Sequence, residues 1–182
     1  YGDHQVYTLS LHDALPISNQ ALLSQSGLCT PGGFCLGADA YRAQLEHLGL
    51  TEIADKAVSL SFLDARQQIS RIRIALFGES ISSKIQEPLF NAYHRLVHDS
   101  GTSVAVRSSS IMEDTHDASF AGQFQSFLGI DNEDDFLTAI RACWGALWSS
   151  RALRYMESKD ISPVDTAKIE ERRVGKECRS RW

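Results

Sequence analysis

Arg107 follows three small apolar residues, Val104, Ala105 and Val106, and leads into three hydroxyls, Ser108, Ser109 and Ser110. An acidic turn at Glu113 and Asp114 comes next, and then a run of small residues, Ser119, Ala121 and Gly122. A guanidinium held at a strand end is a permanent charge in a planar fork that matches phosphate oxygens. Hydroxyls beside it add donors, and a glycine lets the backbone approach a ligand closely. The chemistry this set suits is polyphosphate binding. The same residues also read as an arginine facing water, a Ser-rich turn and a turn glycine, because short signals of this kind recur without function.

Two strands must hold this set. Ser103 to Arg107 reads as a short buried strand, and Gln123 to Ile130 as a second. In the second, Phe124, Ser126 and Leu128 alternate with Gln125, Phe127 and Gly129, so both faces are expected to be partly covered. Before them, NQALLSQS (19–26) looks like the end of a helix closed at Gly27, and Pro31, Gly32 and Gly33 mark a turn into a strand at Phe34 to Leu36. Helical spacing then puts Tyr41, Leu45 and Leu48 on one face, ending at Gly49. A short helix is expected over Glu52 to Val58. A longer one over 62–77 would turn Leu63, Ile69, Ile72 and Leu76 inward. Another over 84–98 would bury Ile85, Leu89, Tyr93 and Leu96, with Pro88 in its first turn or kinking it. Asp131-Asn132 caps a helix over 133–148. Ser149 or Ser150 starts a last helix to about 158, which Pro163 closes. The order of elements implies an α/β (α+β) fold with an incomplete sheet and packed helices.

Composition narrows the function. Hydrophobic residues make up 43% and charged residues 23%, the balance of an ordinary globular domain. The formal charge of −5 disfavours duplex nucleic acid, which rewards clustered Lys and Arg. A nucleotide needs only two or three local positive charges. No stretch approaches the roughly 18 apolar residues that span a bilayer. Cys29, Cys35, Cys143 and Cys178 make neither a disulfide framework nor a zinc knuckle, and they read as thiols in a reducing cytoplasm. His94 and His98 lie four apart on a helix, where both could face one metal or simply form a solvated face. Asp117 and His116 are too few to make a magnesium site. Trp144 and Trp148 read as core.

Both ends look foreign. TLSLHDALPI (8–17) is one frame of a common sequencing-adapter oligonucleotide, and EERRVGKEC (170–178) lies in one frame of its reverse complement. Residues 1–18 and 169–182 are therefore expected to be translated adapter, excluded from fold reasoning, and to pack poorly on the rest. The basic run from Arg172 to Arg181 is then a reading-frame accident and not a nucleic-acid arm. Residues 19–168 remain as a partial domain.

Three ordered blocks of that segment resemble the amino-terminal nucleotide-binding domain of the phosphoenolpyruvate synthase and pyruvate phosphate dikinase family, which rifamycin phosphotransferases share. They are Gly27-Leu28 with Pro31, Gly33 and Phe34 leading into Ala40-Tyr41; VAVRSSS with Glu113-Asp114 and ASFAGQ; and AIRACWGALWSSRALRY (139–155). The resemblance implies the first lobe of an ATP-grasp-like domain. In the family, ATP clamped between two lobes phosphorylates a histidine on a swivelling domain, which then serves a substrate domain. It implies that Arg107, with Ser108, contacts ATP phosphates, and that Ser119 to Gln123, including Gly122, form a loop over them. Glu113 and Asp114 would orient Arg107 or cap a turn. Mg2+ ligands are expected in the second lobe, which does not follow residue 168, and the phosphohistidine and substrate domains would be partners within the same full-length chain. The family's Gly-Gly-Lys stretch before residue 19 is replaced by adapter-like sequence, so the fragment alone is expected to be inactive and holds no catalytic residue of its own. The resemblance does not choose pyruvate, rifamycin or another acceptor. Two other readings stay open: a non-catalytic nucleotide-binding or interaction module, and a structural domain in which Arg107 closes a salt bridge.

Overall fold

The computed structural model describes residues 6–9, 26, 33–100, 103–108, 126–158 and 172–176. Their elements run β1 (Val6–Leu9), β2 (Gly33–Leu36), α1 (Ala38–His47), α2 (Thr51–Ser59), α3 (Arg66–Gly78), α4 (Ser83–Ser100), β3 (Val104–Ser108), β4 (Ser126–Ile130), α5 (Glu133–Ala146), α6 (Ser150–Ser158) and β5 (Arg172–Lys176). The mixed helix–strand fold expected from the sequence is the one observed. The strands form one sheet in the order β1-β2-β5-β3-β4. β1 is parallel to β2, and β5 is antiparallel to both β2 and β3, so β2 and β3 run the same way. β4 returns antiparallel to β3.

Local chemistry sets the helix ends. α1 stops where its spacing ends. The Gly49 N–H donates to the Glu46 carbonyl and the Leu50 N–H to the Leu45 carbonyl, with Gly49 at φ +63. That left-handed turn satisfies two terminal carbonyls, and the buried Leu45 and Leu50 flank it. Asn132 caps α5 by accepting from the Asp135 N–H at 2.9 Å. Glu133, Asp134 and Asp135 follow in the first turn, where the helix dipole favours negative charge. The Ser149 hydroxyl accepts from the Ala152 N–H at the start of α6. Pro88 lies inside α4, past the first turn, and the helix runs on to Ser100.

The core gathers the inward faces these patterns imply. Ile69, Ile72 and Leu76 of α3, and Ile85, Leu89, Tyr93 and Leu96 of α4, are buried. They pack in one cluster with Phe34, Val104, Val106, Phe136, Trp144 and Trp148. Phe34 meets Phe136 edge-on with centroids 6.3 Å apart, which fixes α5 against β2. Each fully buried aromatic of this kind contributes about 1.5–3 kcal/mol of transfer free energy. The Trp148 indole N–H donates to the Tyr41 hydroxyl at 2.6 Å, so the tryptophan's polar end is also satisfied.

Three expectations need correction. Leu63 is 72% exposed, not inward. The core stripe of α3 is Ile69, Ile72 and Leu76, and Leu63 lies in the turn before the helix's N-cap Ala65, where helical phase does not apply. The two faces of β4 are not covered alike: Ser126, Leu128 and Gly129 are exposed, Phe127 is half-buried and Ile130 is buried. Val104 pairs with Ile130 and Val106 with Phe127, so β4 carries one extra residue, and Gly129 within it has φ +71. This glycine bulge puts Phe127 and Ile130 opposite the two buried valines, although their spacing of three breaks simple alternation. Finally, the two ends do not stay off the sheet, since β1 and β5 both pair within it. A strand edge presents unpaired backbone donors and acceptors to any extended segment, whatever that segment's origin.

Candidate functional site

Arg107 and Ser108 are the last two residues of β3. Behind them Val104 and Val106 are sealed in the core, and α5 packs across β3 and β4. The strand is therefore anchored by its apolar residues and delivers its polar ones at its carboxyl end. Arg107 is the Cα partner of Ser126, the first residue of β4. The end of β3 and the start of β4 therefore lie side by side. This one pairing brings both feet of the connection that carries Ser119, Gly122 and Gln123 to the arginine. Those three residues, like Glu113, Asp114, His116 and Asp117, lie outside the described residues, as does the expected helix ending at Gly27.

The same end of the sheet receives a second feature. β2 runs parallel to β3, so its carboxyl end at Leu36 lies on the same side, and α1 begins immediately after Gly37. One strand separates β2 from β3, which sets this helix N-terminus roughly 10 Å from Ser108 in the sheet direction. Gly37 offers no side-chain cap. The Ala40 N–H donates to the Gly37 carbonyl at 3.2 Å, and the positive end of the helix dipole lies at this end of the sheet. Asp39 in that turn pairs with Arg42. The carboxyl ends of parallel strands, next to a helix start, are where open α/β sheets receive ligands. The sequence reading took Gly33 to Tyr41 as an entry to a helix but did not set it beside Arg107. The signal available was the glycine at the strand-to-helix junction.

The other candidates fall elsewhere. His94 makes a side-chain contact with Glu133 and stacks on Phe90, which ties α4 to α5 on an exposed face. Among the described residues no group of three or more His, Cys, Asp or Glu is placed to hold a metal ion. Cys143, Trp144 and Trp148 are core residues. A buried polar residue that the sequence reading missed is Gln44, 1% exposed. Its amide N–H donates to the Ser80 carbonyl and its carbonyl accepts from the Ser82 N–H, each at 2.9 Å. Burial pushes the Tyr93 phenol above its ordinary range, and the Asp131, Glu133 and Asp135 carboxylates push the same way. Among the described residues, no helix is long and apolar enough to cross a membrane.

Residues 15–168 match the family described as the pyruvate phosphate dikinase AMP/ATP-binding domain. The chain is 35% identical over 144 residues to a phosphoenolpyruvate synthase of Neisseria meningitidis serogroup B, covering 75% of this chain and 18% of that protein. It is 33% identical over 151 residues to a phosphoenolpyruvate synthase of Helicobacter pylori, covering 78% of this chain and 18% of that one. A prodigiosin synthesizing transferase, PigC of Serratia marcescens, is 32% identical over 133 residues, 73% of this chain and 14% of that protein. The chain spans less than a fifth of the length of these relatives. With its three motif blocks inside a match that takes in most of its residues, this chain belongs to the pyruvate phosphate dikinase AMP/ATP-binding domain family.

Proposed function

We propose that this chain is the first lobe of the ATP-grasp-like domain of a larger dikinase or phosphotransferase. That enzyme passes phosphate from ATP to a histidine of its own and then to pyruvate or a similar acceptor. The observation that supports the reading is the Arg107–Ser126 pairing, which sets the end of β3 beside the start of β4. In this reading Arg107 and Ser108 meet the ATP phosphates and Ser119, Gly122 and Gln123 cover them. The N-terminus of α1 adds positive potential from the neighbouring strand. Catalysis by such a set is positional and electrostatic: fixed donors stabilise charge that spreads over the transferring phosphoryl group. Magnesium would be held by acidic residues beyond this chain, and the phosphohistidine and acceptor domains would lie there too. A cytoplasmic enzyme without membrane or nucleic-acid partners fits these substrates. Residues 1–18 and 169–182 are, in the same reading, translated adapter. Relatives named for phosphoenolpyruvate and for prodigiosin leave the acceptor open.

The test is Arg107→Ala in the restored full-length enzyme, read as ATP-dependent phosphorylation of its own histidine together with a thermal melt. Loss of one charge-assisted donor in a water-poor cleft costs roughly 2–4 kcal/mol of transition-state stabilisation, or about two to three decades in rate. Arg107→Lys should recover only part, because a point charge lacks the planar fork. The melt should hold, since core contacts of β3 come from Val104 and Val106. Near-normal phosphorylation in the alanine variant ends the phosphate role. Lost phosphorylation with an equal loss of stability supports a structural salt bridge instead.

A further inference from the structure

α3 turns Ile69, Ile72 and Leu76 into the core, so its other side meets solvent. That side is not simply polar. Ile74 is 73% exposed and Phe77 is 43% exposed. With Ser70 they form a row at the spacing i, i+4, i+7, which is one face of a helix. At about 100° per residue, Arg66 and Arg73 fall along one border of this row and Arg71 along the other. All three arginines are exposed, and none makes an ion pair among the described residues. Ile74 therefore stands between guanidinium groups on both sides.

The charge of this face runs against the rest of the chain. α3 holds three arginines and no carboxylate. Taking its +3 from the formal charge of −5 leaves −8 on the remainder. The nearest acids in sequence lie beyond its ends. Asp64 before the helix accepts from the Ser61 hydroxyl at 2.6 Å, and Glu79 follows the last turn. Arg141 of α5 donates to the Glu79 carbonyl at 3.4 Å, which sets a fourth guanidinium at the carboxyl end of the row. One exposed isoleucine is ordinary. An isoleucine and a phenylalanine in one row, bordered by cations, have the layout of a helix-packing seam whose charged edges select the partner.

We propose that the exposed face of α3 docks an acidic amphipathic helix of a partner protein. Leucine or isoleucine side chains of that helix cover Ile74 and Phe77, and glutamates along its two edges meet Arg66 and Arg73 on one border and Arg71 on the other. An anionic bilayer fits less well, because it would repel a chain of net charge −5 and receive only two apolar side chains.

The probe is a labelled Glu/Leu amphipathic peptide of about 18 residues, long enough to form a helix, and its twin carries Lys for every Glu. Fluorescence anisotropy against the 182-residue chain should give a dissociation constant of about 10–100 μM for the Glu peptide. Affinity should fall several-fold between about 50 and about 300 mM salt. Ile74→Ser should weaken binding roughly fivefold to tenfold. Arg71→Glu with Arg73→Glu should weaken the Glu peptide about tenfold and gain the Lys peptide, a gain that misfolding cannot produce. No binding of the Glu peptide at about 1 mM overturns the proposal, as does binding that these variants leave unchanged. Failure of the charge-reversed chain to take the Lys peptide overturns it too. Two further results reassign the face and end the proposal. One is binding to phosphatidylserine vesicles tighter than to the Glu peptide and lost in Ile74→Ser. The other is a dimer in sedimentation that Ile74→Ser dissolves, which would make a second copy the occupant.

Discussion

Tyr93 shows how one side chain can be legible in its placement and illegible in its chemistry. Its spacing with Leu89 and Leu96 predicts an inward position, and its ring stacks on Phe136 with centroids 4.7 Å apart. Its hydroxyl is buried with no hydrogen-bond partner among the described residues, and it sits in the field of Asp131, Glu133 and Asp135. Nothing in the spacing of α4 shows this, because the carboxylates arrive from some forty residues downstream. The same holds for Gln44, whose partners Ser80 and Ser82 follow two helices later. The phenol's raised value means the folded state keeps its proton more tightly than the unfolded chain does. Its contribution to stability is therefore complete below the ordinary value near 10 and is lost as pH rises through the folded value. Tyr93→Phe should flatten the alkaline loss of stability and at about pH 8 be neutral or stabilising by up to about 1 kcal/mol, since an unpaired buried hydroxyl is removed. Urea unfolding of both proteins at about pH 8 and about pH 10.5 reads the difference. Equal alkaline losses would remove Tyr93 from the account.

At the scale of elements, helices were the most legible. α1, α4 and α5 carry apolar stripes, and the Gly49 turn after α1 and the Asn132 cap of α5 fall where periodicity and punctuation agree. The misplacement of Leu63 came from running a helical phase back through a turn, and the misreading of β4 from assuming strict alternation across a bulge. Helix-on-helix fit was not legible at all. A Cβ added to Gly145 of α5 would stand 2.6 to 3.0 Å from three ring atoms of Phe77 on α3, so the glycine is the socket for that ring. Gly145→Ala gains about 0.5–1 kcal/mol of helix propensity, set against an overpacking cost of about 1–3 kcal/mol. Phe77 is 43% exposed and can swing partly aside, so a net loss of about 1 kcal/mol is expected. In a Phe77→Ala background the same change should stabilise by about 0.5–1 kcal/mol. A double-mutant cycle from urea midpoints measures both. Equal effects in the two backgrounds would deny any coupling between the ring and the socket.

For the whole molecule, the family was readable from three motif blocks, while the sheet order was not, because it depends on pairings between segments far apart in the chain. Arg107 could be singled out by its neighbours in sequence; the α1 N-terminus beside it emerged only once β2 and β3 were seen to run together. On the proposed reading, in which this chain supplies one lobe's share of the contacts and residues 1–18 stand where the family resemblance implies a lysine, the 182-residue chain should bind ATP weakly. Calorimetry should find a dissociation constant near or above about 1 mM, roughly −4 kcal/mol of binding free energy. A micromolar value would overturn the incomplete-site argument.

The hydrogen bond from Trp148 to Tyr41 joins groups 107 positions apart and fastens α1 to the turn between α5 and α6. In kinetic terms it closes one of the longest loops in the chain, and the entropy of that closure must be met before the contact returns anything. Helices form within microseconds from local contacts, whereas a clasp of this span belongs to the slow end of folding. With Trp144 and Trp182 replaced by Phe, indole emission from Trp148 therefore times the meeting of α1 with the turn after α5, separately from the far-ultraviolet signal that times the helices.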